Sequence, residues 1–270
     1  MHKMNLEVLS QQPSRESSRS PVLLVHGAWH GAWCWKVNFA DYLAQHGFQV
    51  HAMSLRGHGN SDGRRRLRWT SLADYVGDVA QVARQFSAPP IVIGHSMGGL
   101  VVQKYLQMHG APAGVLMASI PPTGVLRTAL HLARRHPWLM AKVNATLSLY
   151  PLISSPELAK ELLFSNEMPV AQVEIFWQQM QDESYRCFVE MLGLGLPEPE
   201  KVTTPLLILG GGADMLISPD QVKATARAYG TQPVFLPNIA HDMMLEPGWQ
   251  TVADAIVSWL RNKTPACDKF

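Results

Sequence analysis

At 270 residues the chain exceeds the usual single domain, yet one α/β core carrying one insertion commonly reaches this size. Hydrophobic residues make up 47% and charged residues 16%, which supplies a large core and excludes global disorder. The formal net charge of +2, with aromatics that do not interleave regularly with Lys or Arg, argues against a surface built for nucleic acid.

The chain opens with a polar segment, residues 1–20, that has room for an edge strand but holds no apolar stretch able to form a signal-peptide core. No later run approaches the uninterrupted apolar length of a membrane span. Cys34, Cys187 and Cys267 are odd in number and widely spaced, a pattern of reduced thiols rather than of disulfides or a metal site. The expectation is a cytoplasmic protein with no metal and no cofactor.

Short apolar runs then alternate with helix-like segments, as in parallel βαβ units. The runs are residues 21–25, 50–55, 90–93, 114–120, 205–209 and 233–236. Continuous rather than alternating apolar character fits strands covered by helices on both faces, hence a doubly wound, mostly parallel sheet. Between the second and third runs, Thr70-Ser71-Leu72-Ala73-Asp74 offers a polar cap for a helix running towards Phe86. The basic run Arg64-Arg65-Arg66 with Arg68 just before it reads as a solvated face. Met97–His109 reads as a helix that Gly110 ends.

After Pro121-Pro122 the alternation stops, and helical periodicity broken at Pro137, Pro151, Pro156, Pro169 and Pro197 continues to about Lys201. This predicts a helical cap over residues 121–201, inserted between core segments 21–120 and 202–263. Most of the bulky cap residues are expected to pack against the core, while Trp138 and Phe176, together with Trp29, are candidates to line an apolar acyl or aryl pocket. Arg127, Arg134, Arg135 and Lys142 accompany Trp138; solvated charge on a cap helix is the preferred reading and peripheral contact with a membrane the alternative.

The third run leads into Gly94-His95-Ser96-Met97-Gly98, a Gly-x-Ser-x-Gly turn between strand and helix, the context of a nucleophile elbow. Small residues two before and two after the serine are needed where the turn brings backbones too close for side chains. The turn would also set Ser96 at a helix N-terminus, where the Met97 amide can stabilise an oxyanion. A serine hydroxyl needs a base, and the base an orienting acid. Asp214, after Gly210-Gly211-Gly212-Ala213, and His241, after Pro237-Asn238-Ile239-Ala240, follow the fifth and sixth runs in the order Ser, Asp, His. Asp220 reads instead as a first-turn helix residue, and Asp242 as a local loop hydrogen-bonder. His26-Gly27-Ala28 ends the first run and can aim a second amide, that of Ala28, at the reaction centre; His26 reads as a buried, loop-ordering histidine.

These residues, with Arg56-Gly57-His58-Gly59-Asn60-Ser61-Asp62-Gly63, resemble the α/β-hydrolase superfamily of serine esterases and lipases from Pro21 to Leu260. The resemblance implies hydrolysis of an ester through an acyl-enzyme, without metal or organic cofactor. His26-Gly27-Ala28-Trp29-His30-Gly31-Ala32-Trp33-Cys34-Trp35 is similar to the opening loop of the plant methylesterase and hydroxynitrile-lyase group. Its lyases carry a lysine beside the catalytic histidine, where this chain has Asp242, so esterase leads. A small-molecule ester with an apolar acyl or aryl part is the expected substrate. The alternatives are a lipase or lysophospholipase acting on longer acyl chains, a cofactor-free perhydrolase, and a non-catalytic binding protein that kept the fold.

Overall fold

The structure, a computed structural model, describes residues 4–13 and 20–263; Cys267 lies outside them, as does part of the N-terminal polar segment. Among the described residues one sheet has seven strands: β1 (Val8–Gln11), β2 (Val22–Val25), β3 (Val50–Met53), β4 (Ile91–His95), β5 (Gly114–Met117), β6 (Leu206–Gly211) and β7 (Pro233–Leu236). Their order is β1-β3-β2-β4-β5-β6-β7. Every neighbouring pair is parallel except β1 with β3.

β2 to β6 are buried along their whole length, which is why their sequences are apolar apart from His51 in β3 and His95 at the end of β4. β7 is only half-buried, because an edge strand has a neighbour on one side alone, and its first residue, Pro233, has no N–H to give. The apolar run at 114–120 yields a shorter strand than its length suggests. β5 stops at Met117, where Ala118 turns to a φ of 42°. On the opposite edge, β1 closes antiparallel on β3.

Helices cover both faces. α1 (Trp33–Lys36) and α2 (Phe39–Gln45) follow β2, and α2 packs with the terminal helix. α3 (Leu72–Ala83) opens on a capping box in which Ser71 accepts from the Asp74 amide while the Asp74 carboxylate accepts from the Ser71 amide. It packs with α4 (Met97–His109), which Gly110 ends at a φ of 65°. The Arg64–Trp69 stretch forms a 3₁₀ turn with Arg64, Arg65, Arg66 and Arg68 exposed.

Five α-helices occupy the stretch between β5 and β6: α5 (Leu126–Arg135), α6 (Pro137–Thr146), α7 (Pro156–Leu163), α8 (Val170–Trp177) and α9 (Tyr185–Met191). Pro137 and Pro156 start α6 and α7, where a missing N–H costs nothing. This stretch is tied to the sheet by polar contacts. Gln181 donates its amide to the Trp29 carbonyl, and Ser184 its hydroxyl to the Thr70 carbonyl. Glu183, fully buried, takes the Tyr75 hydroxyl at 2.5 Å and stands 3.0 Å from His58 Nε2. After β6 come α10 (Pro219–Ala228) and, past β7, α11 (Trp249–Lys263). Among the described residues, no helix is long and apolar enough to cross a membrane.

The strand order fixes where a site belongs. The chain leaves β2 outward to β3 and then jumps back across β2 to β4, so the connections after β2 and β4 part in opposite directions and open a crevice at the carboxyl ends. Residues 26–31 and 95–97 sit on its two sides.

Candidate active site

Ser96 sits at the top of β4 with φ 52° and ψ −117°, a strained conformation for a side-chain-bearing residue. The turn is held by the Ser96 amide, which donates to the Met117 carbonyl at 3.0 Å. A Cβ at Gly94 would lie 2.4 Å from the Gly98 carbonyl oxygen, and one at Gly98 2.2 Å from that of His26. Both glycines are therefore obligatory for the packing, as the sequence reasoning required.

The structure brings Ser96, His241 and Asp214 into one chain of hydrogen bonds. Ser96 Oγ and His241 Nε2 are 2.8 Å apart, and His241 Nδ1 is 2.9 Å and 3.1 Å from the two oxygens of Asp214. Asp214 Oδ1 also accepts from the amides of Leu216 and Ile217, which fixes the carboxylate. Burial pushes the His241 imidazole down, but the Asp214 carboxylate, with a further pull from Asp242, carries it above its ordinary value. A base so arranged can take the serine proton while the carboxylate stabilises the imidazolium.

The loop after β2 lies against the serine, since a Cβ at Gly27 would stand 3.0 Å from Ser96 Cβ. Ala28 is thus beside Ser96, and Met97 opens α4 directly after it. Trp29 holds a φ of 67°, is 6% exposed, and leaves its indole N–H without a partner. His26 is fully buried, with Nδ1 towards the Gly27 carbonyl and Nε2 accepting from the Leu55 amide, so both nitrogens are spent on loop order.

The other sequence candidates separate clearly. Phe176 is buried, 6.2 Å from the Trp33 ring, which in turn stacks at 5.3 Å on His30 next to the Ala28–Trp29 turn. Trp138 is not brought to the site. It is 80% exposed, because Met140 and Val143 take the inward face of α6 and position 138 falls on the opposite side. Asp220 lies in the first turn of α10, near exposed Lys223. Asp242 differs from the local hydrogen-bonder read in the sequence: its side chain is fully buried and pairs with His30, 212 residues away.

Two residues for which the sequence supplied no specific partner, His95 and, in the aromatic opening loop, His30, stand next to Ser96, His241 and Asp214. His95 donates from Nε2 to the His241 carbonyl at 2.8 Å, and His30 links the Ala28 carbonyl to Asp242. The signal for His95 was its place inside the elbow; for His30 nothing local distinguished it from its aromatic neighbours. Among the described residues no cluster of His, Cys, Asp or Glu could hold a metal ion.

Comparison with known proteins places this fold and makes the chain a hydrolase. Residues 22–255 match the Alpha/beta hydrolase family, so the chain belongs to that family, in its esterase and lipase branch. It is 26% identical to a monoacylglycerol lipase of Mycolicibacterium smegmatis, over 90% of this chain and 88% of that protein. It is 35% identical to methyl jasmonate esterase 1 of Vitis vinifera over a shorter stretch, 32% of this chain and 33% of that one. The crystal structure of a Paleococcus ferrophilus monoacylglycerol lipase superposes with a TM-score of 0.71, covering 96% of this chain and all of that one at 22% identity.

Proposed function

We propose that this chain, by family a carboxylic-ester hydrolase, cleaves its substrate through an acyl-enzyme on Ser96. His241 takes the Ser96 proton as Oγ attacks the ester carbonyl, and the amides of Ala28 and Met97 receive the negative charge of the tetrahedral intermediate. His241 then protonates the departing alcohol oxygen. Water, deprotonated by the same imidazole, releases the acid and restores the serine. The observation that carries this reading is the unbroken chain from Ser96 Oγ through His241 to Asp214, each link 2.8–3.1 Å.

Residues 121–201 act in this reading as a cap that shapes the substrate site. Phe176 and Trp29 are the side chains assigned to the apolar acyl or aryl part; Trp138, on the outer surface, is left out.

The experiment is turnover of p-nitrophenyl esters by Ser96→Ala, with fluorophosphonate labelling of the unaltered protein. Turnover falls by several orders of magnitude and labelling sits on Ser96. Unchanged turnover in folded Ser96→Ala removes the assignment, and absence of labelling favours a binding protein.

A second reading, a lipase for longer acyl chains, has its own observation. A cleft of about 440 Å³ is lined by Phe164, Val170, Val173, Ala213 and Met215 together with the charged Arg135, Glu157, Lys160 and Glu161. Its lining does not include Ser96 or His241, so short-chain esters remain the first expectation. Preference for eight-carbon over two-carbon acyl groups would reverse that order.

A further inference from the structure

Behind the triad lies a second histidine–carboxylate pair. His30 is 1% exposed, with Nδ1 2.7 Å from the Ala28 carbonyl oxygen and Nε2 3.0 Å from Asp242 Oδ2. The carbonyl only accepts, and Asp242, held below the usual carboxylate range, accepts as an ionised carboxylate, so both ring nitrogens carry hydrogen and the ring is an imidazolium. Two neighbouring buried histidines differ. His26 has one acceptor and one donor opposite its nitrogens, and His95 has one acceptor opposite Nε2 and nothing opposite Nδ1. Those patterns suit neutral rings.

We propose that His30 and Asp242 form a buried ion pair with two positioning roles: it fixes the Ala28 segment that supplies an oxyanion amide, and it neutralises the carboxylate next to His241. This inference rests on the acyl-enzyme reading of Ser96. Asp242 adjoins the base in sequence, and its own amide is pinned to the Leu163 carbonyl. His30 sits two residues from Ala28, so a single side-chain contact ties the oxyanion loop to the base loop across the crevice between β2 and the carboxyl edge of the sheet.

The charges around the pair support it. Burial alone would drive His30 down, yet the Asp242 carboxylate raises it above its ordinary value; burial pushes Asp242 up, yet His30 holds it below the usual carboxylate range. The other titratable groups facing the pair are His26, His95, His241, Cys34 and Glu246. His26 and His95 are driven down and the Cys34 thiol up, so all three are uncharged at neutral pH. Burial pushes Glu246 up, and its Oε1 is engaged by the Ser165 amide.

Removing either partner therefore leaves a different charge beside His241. His30→Gln keeps a donor for Asp242 but strands the carboxylate, so His241 becomes more basic and the acidic limb of kcat/KM moves up by roughly one pH unit. Asp242→Asn removes the anion and lets His30 lose its proton, so the limb moves down. The double variant, which likewise leaves neither charge beside His241, shifts down as Asp242→Asn does. In His30→Gln kcat also drops by roughly tenfold or more, with KM little changed, because the Ala28 amide is no longer held.

The experiment combines these pH profiles with imidazole ¹⁵N shifts of His30 in the unaltered protein. The expected result is a doubly protonated His30 through neutral pH and limbs that shift in opposite directions. A neutral His30 at pH 7, or limbs that stay put or move together, overturns the proposal. The shifts need neither activity nor a folded variant, so they test the ion pair even where Asp242→Asn does not fold. An enzyme inactive on esters with a doubly protonated His30 would instead count against the acyl-enzyme reading and leave the pair standing.

Discussion

His95, the residue just before Ser96, donates from Nε2 to the backbone carbonyl of His241 at 2.8 Å, with the two rings 4.9 Å apart. The elbow and the base loop belong to different strands, β4 and β7, which the sheet order separates by β5 and β6. This contact joins them directly. It fixes the backbone from which the imidazole reaches Ser96, so it controls a distance on which proton transfer depends steeply.

His95→Ala should therefore lower kcat by up to about a hundredfold while leaving KM close to its original value, since a misplaced base affects the chemical step rather than binding. His95→Gln, which keeps a donor, should recover part of the loss. Steady-state kinetics on a soluble ester reads both. Equal KM and kcat effects would point to general disruption instead.

Acid should unfold the protein through the same histidine. Burial, with the nearby His241 imidazole, lowers His95 from 6.5 to about 3, and burial drives fully buried His26 well below its ordinary value. The unfolded chain takes up protons at these positions below pH 6.5 while the folded chain does not. Their neutral burial is therefore harmless above pH 6.5, and stability falls as the pH drops below 6.5, by about 1.4 kcal/mol per pH unit for His95 until its folded value of about 3, with His26 acting in the same direction. His30 and His241 are shifted the other way: their contribution is in place below pH 6.5 and is lost as the pH rises through their raised values. Urea midpoints between pH 7 and pH 5 should show the decline, and His95→Gln should remove about one proton from its slope. Parallel slopes would contradict it.

Much of the fold was legible because burial writes itself into periodicity. The five strands covered on both faces are apolar apart from His51 and His95, and each of β2 to β7 overlaps a run read in the sequence. The geometry joining Ser96, Asp214 and His241 was legible for a related reason, since a strained turn demands glycines at 94 and 98 and parallel strands present their loops at one edge. The Asp242–His30 contact was not. It spans 212 residues, and no local pattern distinguishes a carboxylate that pairs across the crevice from one that turns inward on its own loop. Trp138 was misplaced because Pro137 restarts the helix and resets which face is inward, something composition does not reveal.

Gly98→Ala tests the elbow's packing without touching a reacting group. The new methyl would meet the His26 carbonyl oxygen at 2.2 Å and the Val25 carbonyl oxygen at 2.6 Å, both backbone atoms that have little freedom to retreat. Overpacking of this kind costs about 1–3 kcal/mol, and the shift needed to relieve it moves Ser96 away from Ala28. The variant should melt at a lower temperature and lose most of its turnover together. A variant with normal melting and normal turnover would show that the turn relaxes more easily than its contacts suggest.

Phe176 and Trp138 make a matched pair, both large aromatics of the helical stretch, one 3% and the other 80% exposed. Phe176 bridges Phe164, 6.0 Å away, and Trp33, whose ring stacks on His30. Phe176→Ala empties that space, which costs about 3–5 kcal/mol where the surroundings do not collapse. It also removes one wall next to the oxyanion loop, so KM for apolar esters should rise, and more for bulky acyl groups than for acetate. Trp138→Ala exposes nothing new and should stay within about 0.5 kcal/mol of the original stability with unchanged kinetics. Thermal unfolding and a panel of p-nitrophenyl esters distinguish the two, and a Trp138 variant that changed acyl preference would move the substrate wall from the aromatic stack to the outer face of α6.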